Sequence, residues 1–549
     1  MDNIENKNVL EEQVEQQNEE IQFNYGDAFA PKPLFELNKN DTLFALGALV
    51  SCIFTTIFGF FGGFAFGYLL SVCIMIVMFS VYFIKNNKIN LSILVYGLLA
   101  VANSVVFICT TNSSVRFFGV VISFLLSLVF FDGVVNKSSS GNRETMGIFY
   151  SALSTIGNVG VSLKSLLSNK EGDKKTFGKI LTGLICAVPV LIVVVPLLLK
   201  SDDAFSGMMS SIFSNSGNTF LIVLKIIFGT IVSMFVISYG FSLKYNRVSK
   251  PQESKFAGVE NACIISFLSA IAVCYVLYLF SQLAYFFSAF KGFLPNDKIT
   301  YSEYARKGFF EMCVIAVINL GVVFLSILLA KKQEGKICVG IKIISTFISV
   351  FTLIIIATAI SKMVLYINEL GMTVLRITTS AFMIFLSVVF IAVILKIYIS
   401  KINIVKTSLV TAGIVVLLLG TVNVNALCAR YNYESYKNGK LETIDISTLY
   451  RLGDEGIPYV VKLACSKNAN DAHKAQEYLA QAYMHDYFEN MHYAEGFDAE
   501  TIRQNNQLHK GFSYFSIPKS RAYDVLYKFL EKNPQFSNYC CSKKQEYYW

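Results

Sequence analysis

From Leu43 to Ile84 the chain carries no charged residue. That run is about twice the roughly 20 residues one helix needs to cross bilayer hydrocarbon. It predicts a helical hairpin that breaks at Gly59, Gly62 and Gly63, where glycine accepts the backbone angles of a tight turn. Further apolar runs follow at 91–110, 117–135, 180–199, 219–242, 262–289, 309–330, 343–361, 378–400 and 407–427. The pattern predicts an all-α, polytopic integral membrane protein of about 11 transmembrane helices.

The polar stretches divide the rest. Residues 1–40 set Asp2, Glu5, Glu11, Glu12, Glu15, Glu19, Glu20, Asp27 and Glu36 against Lys7, Lys32 and Lys39, with too little apolar content for a core. They read as a disordered acidic leader, and they lack the basic start and short apolar region of a secretory signal. The transmembrane bundle covers 41–428. Within it, 144–168 places Phe149, Leu153, Ile156, Val159, Leu163 and Leu167 at helical spacing, with Lys164, Lys170, Lys174 and Lys175 nearby. This reads either as an interfacial helix on the cytoplasmic leaflet, where anionic lipid attracts cations, or as a helix packed under the bundle. Gly157 and Gly160 weaken it. Beyond 429, apolar residues recur at helical intervals among balanced charges, predicting a small helical C-terminal soluble domain over 429–549. Its helices are expected at 429–437, 444–452, 458–464, 469–493 and 520–531, with a stop at Asn438 and Gly439.

Composition agrees: 54% of residues are apolar and 15% charged, where soluble domains average about 25% charged. The net charge of +9, from 47 Lys and Arg against 38 Asp and Glu, could suggest a nucleic-acid partner. The cations instead sit in short loops between spans, and no basic stripe interleaves with aromatics, so no nucleic acid is implied. Loops on the side of the N-terminus carry Lys85 and Lys88, a basic group from Lys137 to Lys179, Lys244, Arg247, Lys250 and Lys255, Lys331 to Lys342, and Lys401 and Lys406. The other side has Arg116, Lys200, Lys291, Lys298, Arg306, Lys307, Lys362 and Arg376. The richer side is cytoplasmic. The reading is a multi-pass cell-membrane protein with a cytoplasmic N-terminus and, for an odd number of spans, an extracytoplasmic C-terminal domain. Most of the 12 cysteines lie inside apolar runs without CxxC spacing and read as small core residues. Only Cys540 and Cys541 raise a disulfide or a metal.

Ionisable residues at membrane depth are functional candidates, and Lys225 and Glu311 are the clearest. They could pair, snorkel to the interface or line a transport route. Lys396, near the end of its span, reads as snorkelling. Asp202 and Asp203 follow the fifth span, and Tyr301, Tyr304 and Arg306 lead into the eighth. An Arg306 pair with Asp202 or Asp203 would fasten these loops; paired carboxylates also do acid–base work or cap helices. His485, Glu489 and His492 fall on one helical stripe, as metal ligands or as part of an aromatic packing face. There is no GxSxG, P-loop or GxGxxG after a strand, and no catalytic residue, cofactor or metal is assigned.

Three stretches carry a resemblance. Ser201 to Phe205 after a Pro-Leu-Leu-Leu run, Tyr301-x-x-Tyr304-x-Arg306-x-Gly308-Phe309, and Asn423-x-x-Ala426-Leu427-x-Ala429-Arg430-Tyr431-Asn432 resemble bacterial membrane proteins catalogued as domain of unknown function 4173, related to 4153. Leu452-Gly453-Asp454-x-x-x-Pro458 is similar to that family's next segment, and Asn423-Val424-Asn425 stands where its pattern has Asn-Pro-Asp. The resemblance runs from the first span to about residue 530 and implies a multispan bacterial envelope protein, with no reaction attached.

The expectation is a non-enzymatic protein of the lipid bilayer. Its external loops at 200–218 and 290–308, with the C-terminal domain, bind an envelope partner or signal. The alternatives are a transporter or lipid-handling protein using Lys225 and Glu311, and a membrane-embedded enzyme built on Asp202, Asp203 and Arg306.

Overall fold

The computed structural model describes residues 34–60, 65–84, 91–136, 142–168, 201, 217–248, 258–291, 309–331, 337–399, 401–490 and 515–536. Among them the chain is almost entirely helical.

Helix α1 spans Lys39–Phe54 and opens with a reciprocal cap. Asn38 Oδ1 accepts from the Asn40 and Asp41 amides, and Asp41 Oδ2 accepts from the Asn38 amide at 2.8 Å. The helix widens into a π turn over Thr55–Phe60, with Gly59 near its end, and the chain resumes as α2, Phe66–Ile84. Gly59 thus lies inside the π turn, and Gly62 and Gly63, where the hairpin is also expected to break, lie outside the described residues. Next come α3 (Leu91–Cys109), α4 (Ser113–Asn136), α5 (Asn142–Ser154), a 3-10 turn (Thr155–Asn158) and α6 (Val159–Ser168). Then follow α7 (Gly217–Lys244), α8 (Asn261–Lys291), α9 (Phe309–Leu329), α10 (Val339–Leu370), α11 (Val374–Tyr398) and α12 (Ile404–Thr421). The remainder is α13 (Val424–Lys437), α14 (Ile446–Arg451), a 3-10 turn (Gly453–Glu455), α15 (Ile457–Ala464), α16 (Ala469–Asn490) and α17 (Ile517–Lys532).

Nine helices of the described residues are long and apolar enough to cross a membrane, and Ile93–Cys109 is a shorter apolar helix. The span expected at 180–199 lies outside the described residues. Two expectations need correction. The run read as 343–361 is helical from Val339 to Leu370, so Lys342 and Lys362, read as loop cations, lie within α10. Its 32 residues span about 48 Å at 1.5 Å each, more than a hydrocarbon core of about 30 Å. The run read as 407–427 stops at Thr421, where Asn423 adopts φ 55° and starts a new helix. Asparagine tolerates this left-handed conformation better than most residues.

Helices α1–α4, α7 and α12 pack as one group around Phe44, Phe79, Phe130, Phe131 and Phe241. Phe79 stacks on Phe131 with ring centroids 4.0 Å apart. Helices α8–α11 form a second group around Phe309, Phe351 and Phe390, joined to the first through α12. A buried polar relay ties that group: Tyr275 Oη donates to Asn319 Oδ1 at 2.5 Å, and Asn319 Nδ2 donates to Thr352 Oγ1 at 2.9 Å. The helices after residue 424 pack on a separate core that includes Val460, Leu463, Leu479 and Leu526.

The 142–168 segment turns part of its polar side inward. Thr155, Asn158, Ser162 and Ser165 face inward, while Tyr150, Leu153 and Ile156 are exposed. Asn158 Nδ2 donates to Ser242 Oγ and to the Arg247 carbonyl, each at 3.0 Å, and Ser238 Oγ donates to the Thr155 carbonyl at 2.7 Å.

Candidate functional site

Two buried polar constellations stand at opposite ends of the first helix group. The first lies where α1 begins and α2 and α7 end. Asp41 is fully buried. Its Oδ1 accepts from Tyr82 Oη at 2.6 Å and from Lys244 Nζ, and its Oδ2 accepts from Tyr245 Oη at 2.7 Å as well as from Asn38. The lysine ammonium also sits over the rings of Tyr82 and Tyr245, at 5.1 and 5.4 Å. A carboxylate offers about four lone-pair sites, so this set saturates Asp41 and makes it a clamp. Burial and the neighbouring Asp41 push the Tyr245 hydroxyl well above the ordinary tyrosine range. The chain ahead of α1 is held at the same place. Arg247 lies 4.4 Å over the Phe35 ring and donates to the Leu34 carbonyl, and the Phe35 amide donates to Ser165 Oγ at 2.8 Å.

The second constellation joins the α3–α4 loop to the helices that follow α12. Glu455 is 4% exposed. Its Oε1 accepts from the Thr111 amide at 2.8 Å and from Thr110 Oγ1 at 3.3 Å, and its Oε2 accepts from Thr111 Oγ1 at 2.5 Å. Arg116, anchored on the carbonyls of Thr110 and Phe107, brings positive charge toward Glu455 and Asp454. Asn423 Nδ2 donates to the Cys109 carbonyl at 2.7 Å while its Oδ1 caps α13 at the Ala426 amide. Asn425 accepts from Asn112 Nδ2 at 2.8 Å and donates to the Leu452 carbonyl at 3.0 Å. One turn pair further on, Asn432 grips the backbone of Met372, accepting from its N–H at 2.7 Å and donating to its carbonyl at 2.8 Å. The adjoining Gly371 has φ 78°. Cys428, on the same helix, has its thiol pushed up to about 12 by burial and behaves as an inert core residue. The asparagines of the 423–432 motif thus fasten α13 to the α3–α4 and α10–α11 connections and to the residue that ends α14.

The sequence-derived candidates fall differently. Asp202, Asp203, Tyr301, Tyr304 and Arg306 lie outside the described residues. Lys225 is half-buried on α7, and its carbonyl accepts from Thr56 Oγ1 at 3.1 Å. Glu311 is exposed near the start of α9 and lies within electrostatic reach of Lys362, which is 6% exposed on α10. The carboxylate is thus set beside a cation of its own helix group, while Lys225 belongs to the other group. His485 and Glu489 stand on α16 with side chains outside the described residues, as is His492. Asp41, Asn112 and Glu455 are not among the sequence-derived candidates, and Lys244 and Arg116, read as loop cations, lie in the last turn of α7 and the first turn of α4. Asp41 and Lys244 carried a signal, since each is a charge set at the edge of an uncharged run with Tyr82 or Tyr245 beside the same membrane end. Glu455 carried none.

No curated protein and no solved structure matches the chain. A family match covers residues 37–463, which takes in both constellations from Asn38 to Glu455. It is to the relative of the family suggested by the sequence motifs, and it does not support the 4173 label. The chain belongs to the family described as Domain of unknown function (DUF4153).

Proposed function

We propose that the chain is a multi-pass protein of a bacterial cell membrane that presents a helical head on its outer face for an envelope partner, without chemistry of its own. In this reading the N-terminus is cytoplasmic, the bundle has eleven crossings, and the helices from 429 with the loops at 200–218 and 290–308 form the docking face. α6 and α7 support the odd count: Ser165 of α6 bonds beside Phe35 on the Asp41 side, whereas Gly217 begins α7 at the end away from Lys244. The observation that carries the reading is the buried Glu455, Asn423 and Asn425 network. A head tied only by a flexible linker would need no such desolvated junction, and a satisfied buried network specifies one arrangement. A partner held by the head is then held rigidly against the bundle.

The test is thiol labelling of single-cysteine variants in intact cells, followed by crosslinking. Cysteines at Ser201, Lys298 and Asn438 should react with an impermeant reagent, and cysteines at Lys174 and Lys250 should not. A photo-crosslinker at Asn438 should capture a partner in wild-type protein and lose it in Glu455→Ala. The reverse labelling pattern, or capture indifferent to Glu455, defeats the reading.

A further inference from the structure

A cavity of about 650 Å³ lies inside the first helix group, walled by α1 and its π turn, α2, α4, the α5 end with its 3-10 turn, and α7. Along α2 it runs from Tyr68 to Phe79, about 17 Å at 1.5 Å per residue. Its size falls in the range of roughly 300–1,000 Å³ that bound small molecules occupy.

The lining decides the class of occupant. No charged side chain lines it. Its serine and threonine hydroxyls are already spent on backbone carbonyls: Thr55 on Ser51, Thr56 on Ile53 and Lys225, Ser71 on Gly67, Ser123 on Ala100, Ser127 on Ser123 and Thr155 on Ala152. An ion or sugar would lose its hydration there and find little in return, whereas hydrocarbon loses nothing. The rim decides the route. Phe124, Leu153, Ile156 and Phe235 line the cavity and are exposed, Leu153 at 65%. Phe124 and Phe235 sit within apolar spans, so the opening faces lipid tails rather than water. A further helix of this chain is too large to be the occupant. A 20-residue helix of 10 Å diameter and 30 Å length takes up roughly 2,400 Å³, several times the space available.

We propose that this cavity holds one acyl chain of a bilayer phospholipid, which enters sideways between α4, α7 and the 3-10 turn while its headgroup stays outside. The site is separate from the outer-face junction and does not depend on the docking reading. The π turn serves it by placing Thr55 and Thr56 on the wall, a use of helix irregularity common at binding sites.

Full-length protein reconstituted in phosphatidylcholine and phosphatidylglycerol vesicles containing a phosphatidylcholine with a diazirine in its acyl chain tests this directly. After irradiation, peptide mass spectrometry should find adducts on the inward residues Tyr68, Met75 and Ser127 as well as on the outward Val81 and Leu98. Ala152→Phe, which narrows the cavity beside its opening at Leu153 and Ile156, should cut the inward adducts at least fivefold and leave the outward ones unchanged. Adducts confined to outward residues in wild-type protein would overturn the proposal whatever the variant does. So would inward labelling that persists undiminished in a folded Ala152→Phe protein.

Discussion

Glu455 shows what a single side chain does in the junction between the bundle and the C-terminal helices. It is a buried carboxylate serving three donors of one loop under the charge of Arg116. Removing one member of a buried ionic set leaves the others desolvated, so Glu455→Ala should cost about 3 kcal/mol, while Glu455→Gln, which keeps an acceptor, should cost less. Thermal unfolding in detergent reads the difference. The two variants should also rank in that order in protease susceptibility of α15–α17. Asp445 makes a smaller, pH-dependent contribution. It caps α14, accepting from Ser447 and Thr448 through both backbone and hydroxyl donors. Partial burial pushes its carboxyl up, but these hydrogen bonds together outweigh burial and hold it below the ordinary aspartate range. A depressed folded-state value adds stability that is fully present above the unfolded aspartate range and is lost as pH falls through the folded value. Asp445→Ala should cost about 1 kcal/mol near neutral pH and should flatten the acid limb of a stability–pH profile. An unchanged acid limb would mean that the cap is not made in solution.

At the level of elements, glycine sets how closely helices meet. A Cβ at Gly229 would lie 2.6 Å from Thr56 Oγ1 and 2.8 Å from the Ile53 backbone, whereas one at Gly321 would meet nothing within 4 Å. Gly229→Ala should therefore part α1 from α7 at a cost of about 1–3 kcal/mol, and Gly321→Ala should be neutral or gain up to about 1 kcal/mol of helix propensity. Equal melting points for the two variants would show that the α1–α7 contact is slack. The helices were legible because uncharged runs of span length have few other uses. Their ends were less so. Lys342 and Lys362 looked like loop cations because charge marks loops, yet a long helix can carry both where Glu311 and the aqueous margin compensate them. The 144–168 segment shows the deeper reason. Its apolar stripe was visible, but periodicity does not say which face is inside, and here Thr155, Asn158, Ser162 and Ser165 turn inward while Leu153 and Ile156 turn outward. Between helices in lipid, packing and polar contacts replace the hydrophobic drive that would bury the other face in water. The Glu455 site was illegible because the loop it grips lies 344 residues away, a distance no local pattern encodes, whereas Asp41 and Lys244 mark the edges of uncharged runs without showing that they pair.

Across the whole molecule the two clamps close opposite ends of one apolar core. Asp41 with Lys244, Tyr82 and Tyr245 holds the ends of α1, α2 and α7, and Glu455 with its loop holds α13–α15 against α3 and α4. Asp41→Ala strands Lys244 and should cost about 3–5 kcal/mol. The double variant Asp41→Leu, Lys244→Leu should fall well short of the summed single losses, because no charge is left unpaired. Combining Asp41→Ala with Glu455→Ala asks a different question. Sites that share no partner add to within about 0.5 kcal/mol, and the two clamps have no hydrogen-bond partner in common. A docking protein should therefore show additive losses in detergent unfolding. Coupling well above that margin would require a bundle with two states that both faces bias. It would favour signalling across the membrane over the proposed docking role.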